Sequence, residues 1–211
     1  MDDRNSNNSA NQRKWDSRAG TYDDRRYDYF RFMQRKLISI ADVRAPCNFL
    51  DLGCGTGWAV SYVAKLMNGK GHFIGIDLAE KMVEMSRAKA NGFQNVYFYV
   101  ASSDDLPLES SYFDRAICTN SFHHYSNPGR VAREIGRVLK PRGRVYILDV
   151  TADDFFTRWV DKKVRAKEKE HVKFYRTREY VEIFSQAGLR HTSSHRLDIY
   201  YPLKVHVAEK E

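Results

Sequence analysis

The segment Phe49 to Trp58, FLDLGCGTGW, constrains the fold more than any other part of the chain. A short apolar stretch runs into glycines at 53, 55 and 57, and a helical pattern begins at Trp58. Glycines at alternate positions let the backbone turn tightly and approach a ligand at the carboxyl end of a strand, where open α/β sheets bind ligands. A dinucleotide fingerprint needs G-x-G-x-x-G, and the position of its third glycine is Trp58. Asp51, just before the first glycine, suits an ammonium group better than a pyrophosphate, whose charge it would repel. About 20 residues further on, GIDLAEKM puts Asp77 at the end of a second apolar run, where a carboxylate accepts hydrogen bonds from both hydroxyls of a ribose. A ligand with a ribose and an ammonium group, and no evident phosphate, fits these residues.

The flanking sequence predicts the scaffold. Phe49 to Leu52, Phe73 to Ile76, Val96 to Val100, Phe113 to Cys118 and Val145 to Val150 read as strands buried on both faces. Trp58 to Met67, Ala79 to Ala90 and Pro128 to Leu139 read as helices between them, the last opened by Asn127 as cap and Pro128 in the first turn. This alternation implies parallel strands joined by crossovers. Tyr27 to Ile40 predicts an amphipathic helix, and Thr177 to Ala187, closed by Gly188, another. His195 to Tyr201 and Leu203 to Ala208 flank Pro202 too closely for a crossover and predict an antiparallel hairpin. The expected fold is α/β: a doubly wound, mostly parallel seven-stranded sheet with helices on both faces and a C-terminal hairpin.

One domain is the expectation for 211 residues, of which 42% are hydrophobic. Residues 1–14 are rich in Asn and Ser and predict a disordered arm, leaving 15–211 as the domain. Cys47, Cys54 and Cys118, an odd number without CxxC spacing, argue against a disulfide scaffold and a cysteine zinc site. No apolar run is long enough to span a bilayer and the start is too polar for a signal peptide, so a cytoplasmic protein is expected. The 35 basic and 27 acidic residues give a charge of +8, which permits an anionic partner without naming one.

DLGCGTG followed by GIDLAEKM resembles the class I S-adenosylmethionine-dependent methyltransferases, whose hallmark is E/D-x-G-x-G-x-G after the first strand and an acid after the second. The resemblance continues through VASSDDLPLESSYFDRAICTNSFHHY, LKPRGRVYILDV and FSQAGL, and is strongest to the small-molecule branch that includes the ubiquinone and menaquinone C-methyltransferases. It implies S-adenosylmethionine as cofactor, S-adenosylhomocysteine as product, no metal, and a Rossmann-like fold. It implies that Asp51, Gly53, Cys54, Gly55 and Gly57 face the methionine part, that Asp77 holds the ribose, and that Leu78 and Met82 flank the adenine. The family's G-D-A-E-x-L-P after the third strand departs here: Ser102 stands in the Asp slot and Asp104 in the Glu slot. Ser102, the backbone at Ser103, or Asp104 after a small register change are the alternatives for the adenine amino group. The pattern RKWDSRAGTYDD implies a helical lid over 15–44 with Trp15, Tyr22 and Asp23 over the cofactor and Tyr22 near the methionine carboxylate.

Methyl transfer from a sulfonium is an in-line displacement, so catalysis rests on alignment and exclusion of water, with a general base only where the acceptor must lose a proton. The fourth strand leads into ICTNSFHHYS, which puts Thr119, Asn120 and the base or orienting candidates His123 and His124 beside the reacting methyl. Adjacent residues diverge, so one histidine at most should point inward. The insertion 151–176 carries Phe155, Phe156, Trp159, Phe174 and Tyr175, expected as an apolar wall for the acceptor, among Arg158, Lys162, Lys163 and Arg165. The net charge of that segment favours an acidic small-molecule acceptor. An RNA or protein acceptor and a non-catalytic cofactor-binding regulator are the alternatives. TNSFHHY is not the N/D-P-P-Y/F motif of base-amino methylation, and nucleic acid is not favoured.

Overall fold

The computed structural model describes residues 3–22, 28–168, 171–198 and 200–211. Its centre is a seven-stranded sheet in the order β3-β2-β1-β4-β5-β7-β6. The strands are β1 (Phe49–Leu52), β2 (Phe73–Asp77), β3 (Val96–Val100), β4 (Phe113–Thr119), β5 (Leu139–Val150), β6 (Leu189–Arg196) and β7 (Leu203–Lys210). The first five run parallel; β7 lies antiparallel to β5, and β6 antiparallel to β7. Strand order reverses between β1 and β4, the switch point at which ligands bind in such sheets.

Side chains alternate across the sheet and build a core on each face. Phe49, Phe73, Ile117, Tyr146 and Leu148 pack with α2 (Asp28–Ile40) and α3 (Trp58–Leu66) through Met33, Leu37, Val60 and Val63. Leu50, Ile76, Ala116, Val145 and Ile147 pack on the other face with α5 (Pro128–Val138) and α7 (Thr177–Ser185) through Val131, Ile135, Tyr180 and Phe184. By the same alternation Asp51, between Leu50 and Leu52, lies on the α2 and α3 face. The Asn127 side chain caps α5 by accepting from the Arg130 amide at 3.0 Å, with Pro128 in the first turn, as the sequence predicts. α4 (Glu80–Lys89) covers β2 and β3.

Two expectations need correction. The arm expected to be disordered over 1–14 is instead helical from Asp3, forming α1 (Asp3–Arg18). Polar contacts replace the missing apolar face: buried Asn11 donates to the His124 carbonyl, Lys14 pairs with Glu168 at 2.6 Å, and Asp16 accepts from the Lys81 amide at the start of α4. The hairpin is present, but its first strand is Leu189–Arg196 rather than His195 to Tyr201. Asp198 makes the turn by accepting from the amides of Tyr200 and Tyr201. β6 is an edge strand, open to solvent along one side, so LRHTSSHR needs no apolar run.

Candidate functional site

One cavity opens at the carboxyl ends of β1, β2 and β4, bounded by α1. Its glycine loop follows β1: the Gly53 and Cys54 amides both donate to the Ile76 carbonyl, and the loop turns through positive φ at 53, 55 and 57. A Cβ on Gly53 would collide with Ser121, and one on Gly55 would press on the Tyr22 ring at 3.3 Å. The loop thus stays flush against its neighbours and leaves the cavity open.

Asp77 anchors the other side. One carboxylate oxygen accepts from the Gly55 amide at 2.8 Å and the other from the Ala79 amide at 2.9 Å. Each oxygen keeps a lone pair for a hydroxyl donor. Burial pushes its pKa up, against the pull of these amides. Leu78 and Met82 line the cavity beside it, and Met82 packs with Ala19, Ala79, Trp15 and Tyr22. Ser102 and Ser103 line the next wall, the Ser103 hydroxyl donating to the Tyr125 hydroxyl at 3.0 Å. Thr119 and Asn120 complete it from β4; Gln34 of α2 donates to the Thr119 hydroxyl at 2.9 Å.

Tyr22, Gly53, Gly55, Asp77, Leu78, Met82, Ser102, Ser103, Thr119, Asn120 and His124 therefore meet in one place. Asp51, Cys54, Gly57, Asp104 and His123 do not line it. Asp51 is fully buried, with both carboxylate oxygens unpartnered among the described residues. Burial, with the charge of Asp77, lifts its pKa to about 8. Cys54 is buried and its thiol is pushed well up by burial and the nearby carboxylates, so it is a small turn residue and no nucleophile. A Cβ on Gly57 would strike the Phe98 ring and Ser86, so this glycine serves the packing of α3 on β3 and α4. Asp104 accepts from Ser102 at 2.7 Å and sits behind it, positioning the wall.

The two histidine rings pack together, 4.0 Å between centroids, and of the two His124 lines the cavity. His124 faces the cavity, its ring edge-on to Trp15 at 5.7 Å between centroids. Asp149 fixes His123 behind it, outside the cavity lining: Asp149 accepts from the His123 amide at 3.0 Å and lies 2.7 Å from its ring Nδ1. Burial works to raise the Asp149 carboxyl, but His123 and the backbone amides outweigh it and keep it below the usual carboxylate range. His123 also packs against His171 and Phe174, and its carbonyl accepts from Val172 and Lys173, which ties 151–176 to the end of β4.

The expected aromatic wall is not formed by that insertion. Phe155, Phe156 and Trp159 are exposed on α6 (Phe155–Lys167), Tyr175 is buried in the core, and Phe174 packs on the histidines. The wall comes instead from Asn8, Asn11, Trp15, Ser121 and Tyr125. Asn8 and Asn11 lie in the segment whose polarity predicted disorder. Ser121 and Tyr125 lie within the TNSFHHY stretch, and their signal was the strand end itself. Tyr22 and Trp15 of the expected lid contact each other edge-on at 6.1 Å, while Asp23 lies outside the described residues. Among the described residues no group of three or more His, Cys, Asp or Glu is arranged to hold a metal ion.

A family model described as a methyltransferase domain matches residues 44–188. The chain belongs to the methyltransferase domain family. An uncharacterized methyltransferase, YcgJ of Bacillus subtilis, is 31% identical over 153 residues, 71% of this chain and 59% of that protein. The ubiquinone/menaquinone biosynthesis C-methyltransferase UbiE of Vibrio cholerae is 30% identical over 122 residues, 56% of this chain and 47% of that protein. The matched region spans about half the length of such curated methyltransferases. A methyltransferase from Aquifex aeolicus described as SAM dependent superposes with a TM-score of 0.72 at 24% identity, covering 92% of this chain and 97% of that one, a likeness of fold.

Proposed function

We propose that this methyltransferase domain transfers the methyl group of S-adenosylmethionine to a small-molecule acceptor. The observation that carries the reading is the meeting, in one cavity, of the glycine loop and an Asp77 carboxylate fixed by two backbone amides, with lone pairs left for a ribose diol. The residues fit the cofactor. Gly53 and Gly55 leave room for the methionine part, Leu78 and Met82 flank the adenine, and Ser102 with the Ser103 backbone faces its amino group. Asp51 is buried just below the loop with no partner among the described residues, and an ammonium bound above it would favour its ionised form.

Bound S-adenosylmethionine supplies an electrophilic methyl group on a sulfonium. Trp15 and Tyr22 exclude water from above, which suits an in-line displacement. His124 stands at the acceptor side with Thr119, Asn120 and Ser121, as the orienting group or, for an acceptor that must lose a proton, as the base. His123 is a positioning residue that holds the His124 turn through Asp149. UbiE supports a small-molecule acceptor by its name, and the charge of +8 favours an acidic one.

Titration calorimetry with S-adenosylmethionine tests the cofactor directly. Saturable heat is expected; no heat with folded protein overturns the reading. His124→Ala and His123→Ala, assayed separately once an acceptor is found, divide the roles. His124→Ala should lower kcat at every pH if it orients and change the pH profile if it is the base, whereas His123→Ala should be partly rescued by His123→Asn.

A further inference from the structure

Helix α6 is built inside out. Thr157 and Asp161 are its buried residues, whereas Phe155, Phe156 and Trp159 are 78%, 69% and 50% exposed. Positions 155, 156, 159, 162 and 163 fall on one stripe of an α-helix, so three aromatics and then Lys162 and Lys163 share the outward face. The inward face is polar and satisfied. Thr157 donates to the capping Asp154 at 2.6 Å; Asp161 accepts from the Phe174 amide at 2.7 Å, lies 2.7 Å from the His171 ring nitrogen, and pairs with Arg165 at 2.9 Å. The orientation is therefore fixed by specific bonds and the aromatic face is held outward.

That face has organised chemistry. Phe156 and Trp159 stack at 6.0 Å, and the Lys163 ammonium lies 5.5 Å over the Trp159 ring. The helix carries five basic residues, Arg158, Lys162, Lys163, Arg165 and Lys167, against Asp161 alone, and Asp161 is turned inward. Aromatic residues on one side with lysines beside them suit the boundary between headgroups and acyl chains, where rings enter and ammonium groups reach back to anionic phosphates. Among the described residues no helix is long and apolar enough to cross a membrane, so attachment through this face would be peripheral.

We propose that α6 docks the protein on the surface of an anionic lipid bilayer, with Phe155, Phe156 and Trp159 inserted and Lys162 and Lys163 on the headgroups. The helix ends at the site: Glu168, its C-cap, pairs with Lys14 of α1, whose Asn11 and Trp15 line the cavity. The inference stands apart from methyl transfer, since lipid binding needs neither cofactor nor acceptor.

Co-sedimentation of the full chain with vesicles of phosphatidylcholine alone, or phosphatidylcholine with phosphatidylglycerol, tests it. The protein should pellet with the anionic vesicles and stay in solution with the neutral ones. F155S/F156S/W159S changes exposed residues only and should keep the thermal midpoint while weakening partitioning by about tenfold or more. K162E/K163E should weaken it by a similar factor, through charge alone. No pelleting of the folded protein with anionic vesicles overturns the proposal, as does equal pelleting of the aromatic variant. A dimer by light scattering that the aromatic variant dissociates, with no vesicle binding, assigns the face to a second copy and also overturns it.

Discussion

Asp51 and Asp77, one strand apart, are held in opposite ways. Asp77 is fixed by two amides and aimed into the cavity; Asp51 is buried with no partner for either oxygen among the described residues. Asp77→Ala should therefore weaken S-adenosylmethionine binding by about 1.5 to 3 kcal/mol in calorimetry, the worth of its charge-assisted hydrogen bonds. Asp51→Asn should do the reverse to stability. The folded pKa of about 8 lies above the ordinary value, so the native state must keep a proton that the unfolded chain releases. That cost is absent below the unfolded pKa and grows as pH rises toward 8. Asp51→Asn should then raise stability at neutral pH by about 1 to 3 kcal/mol in denaturant titrations while leaving it unchanged near pH 4. A carboxylate kept at such a cost is the signature of a site selected for binding rather than for stability.

At the level of elements, what the sequence makes legible is what burial on two faces dictates. β1, β2 and β4 read correctly because Phe49 to Leu52, Phe73 to Ile76 and Phe113 to Cys118 have no solvent face, and the glycine loop read correctly because its φ angles demand glycine. α1 and β6 were illegible for one shared reason. They are held by tertiary contacts, the Asn11, Lys14 and Asp16 bonds and the single Trp15 ring for α1 and ladder bonds to β7 for β6, and neither set leaves an apolar period in the chain. The insertion misled in the opposite sense, since aromatic residues were read as a pocket wall and Thr157 and Asp161 face inward instead. The anchoring of α1 gives a prediction. Trp15→Ala removes its contacts to Tyr22, His124 and the Met82 cluster but leaves the sheet untouched. It should raise the KM for cofactor about tenfold with a small change in thermal midpoint, and hydrogen exchange should show α1 protected by cofactor in the wild type and unprotected in the variant.

Over the whole molecule, the antiparallel end of the sheet carries a load unrelated to the cavity. His206 of β7 is fully buried, 2.9 Å from the Thr151 hydroxyl on one ring nitrogen and 2.9 Å from the Ser194 hydroxyl on the other, with Tyr180 stacked at 3.9 Å. Those bonds join the insertion, the edge strand and α7 to β7, so one neutral ring organises four parts of the fold. Burial, with the neighbouring His191 and Lys204, drives its pKa down to about 3. The unfolded chain takes its proton near pH 6.5, the ordinary histidine value, and the native state refuses it until about 3. Stability is then full above pH 6.5 and falls as pH drops toward 3, by up to about 1.4 kcal/mol per pH unit for this one group. His171 and His191, both also lowered by burial, add to the slope, so the total does not isolate His206. The difference between proteins does. His206→Gln keeps a donor and an acceptor but binds no proton, so urea titrations between pH 6.5 and 4 should give it a slope shallower by about one proton, whatever its stability at neutral pH. An unchanged slope would mean that His206 is protonated in the folded state, and that the junction of β7, the insertion and α7 is open to water.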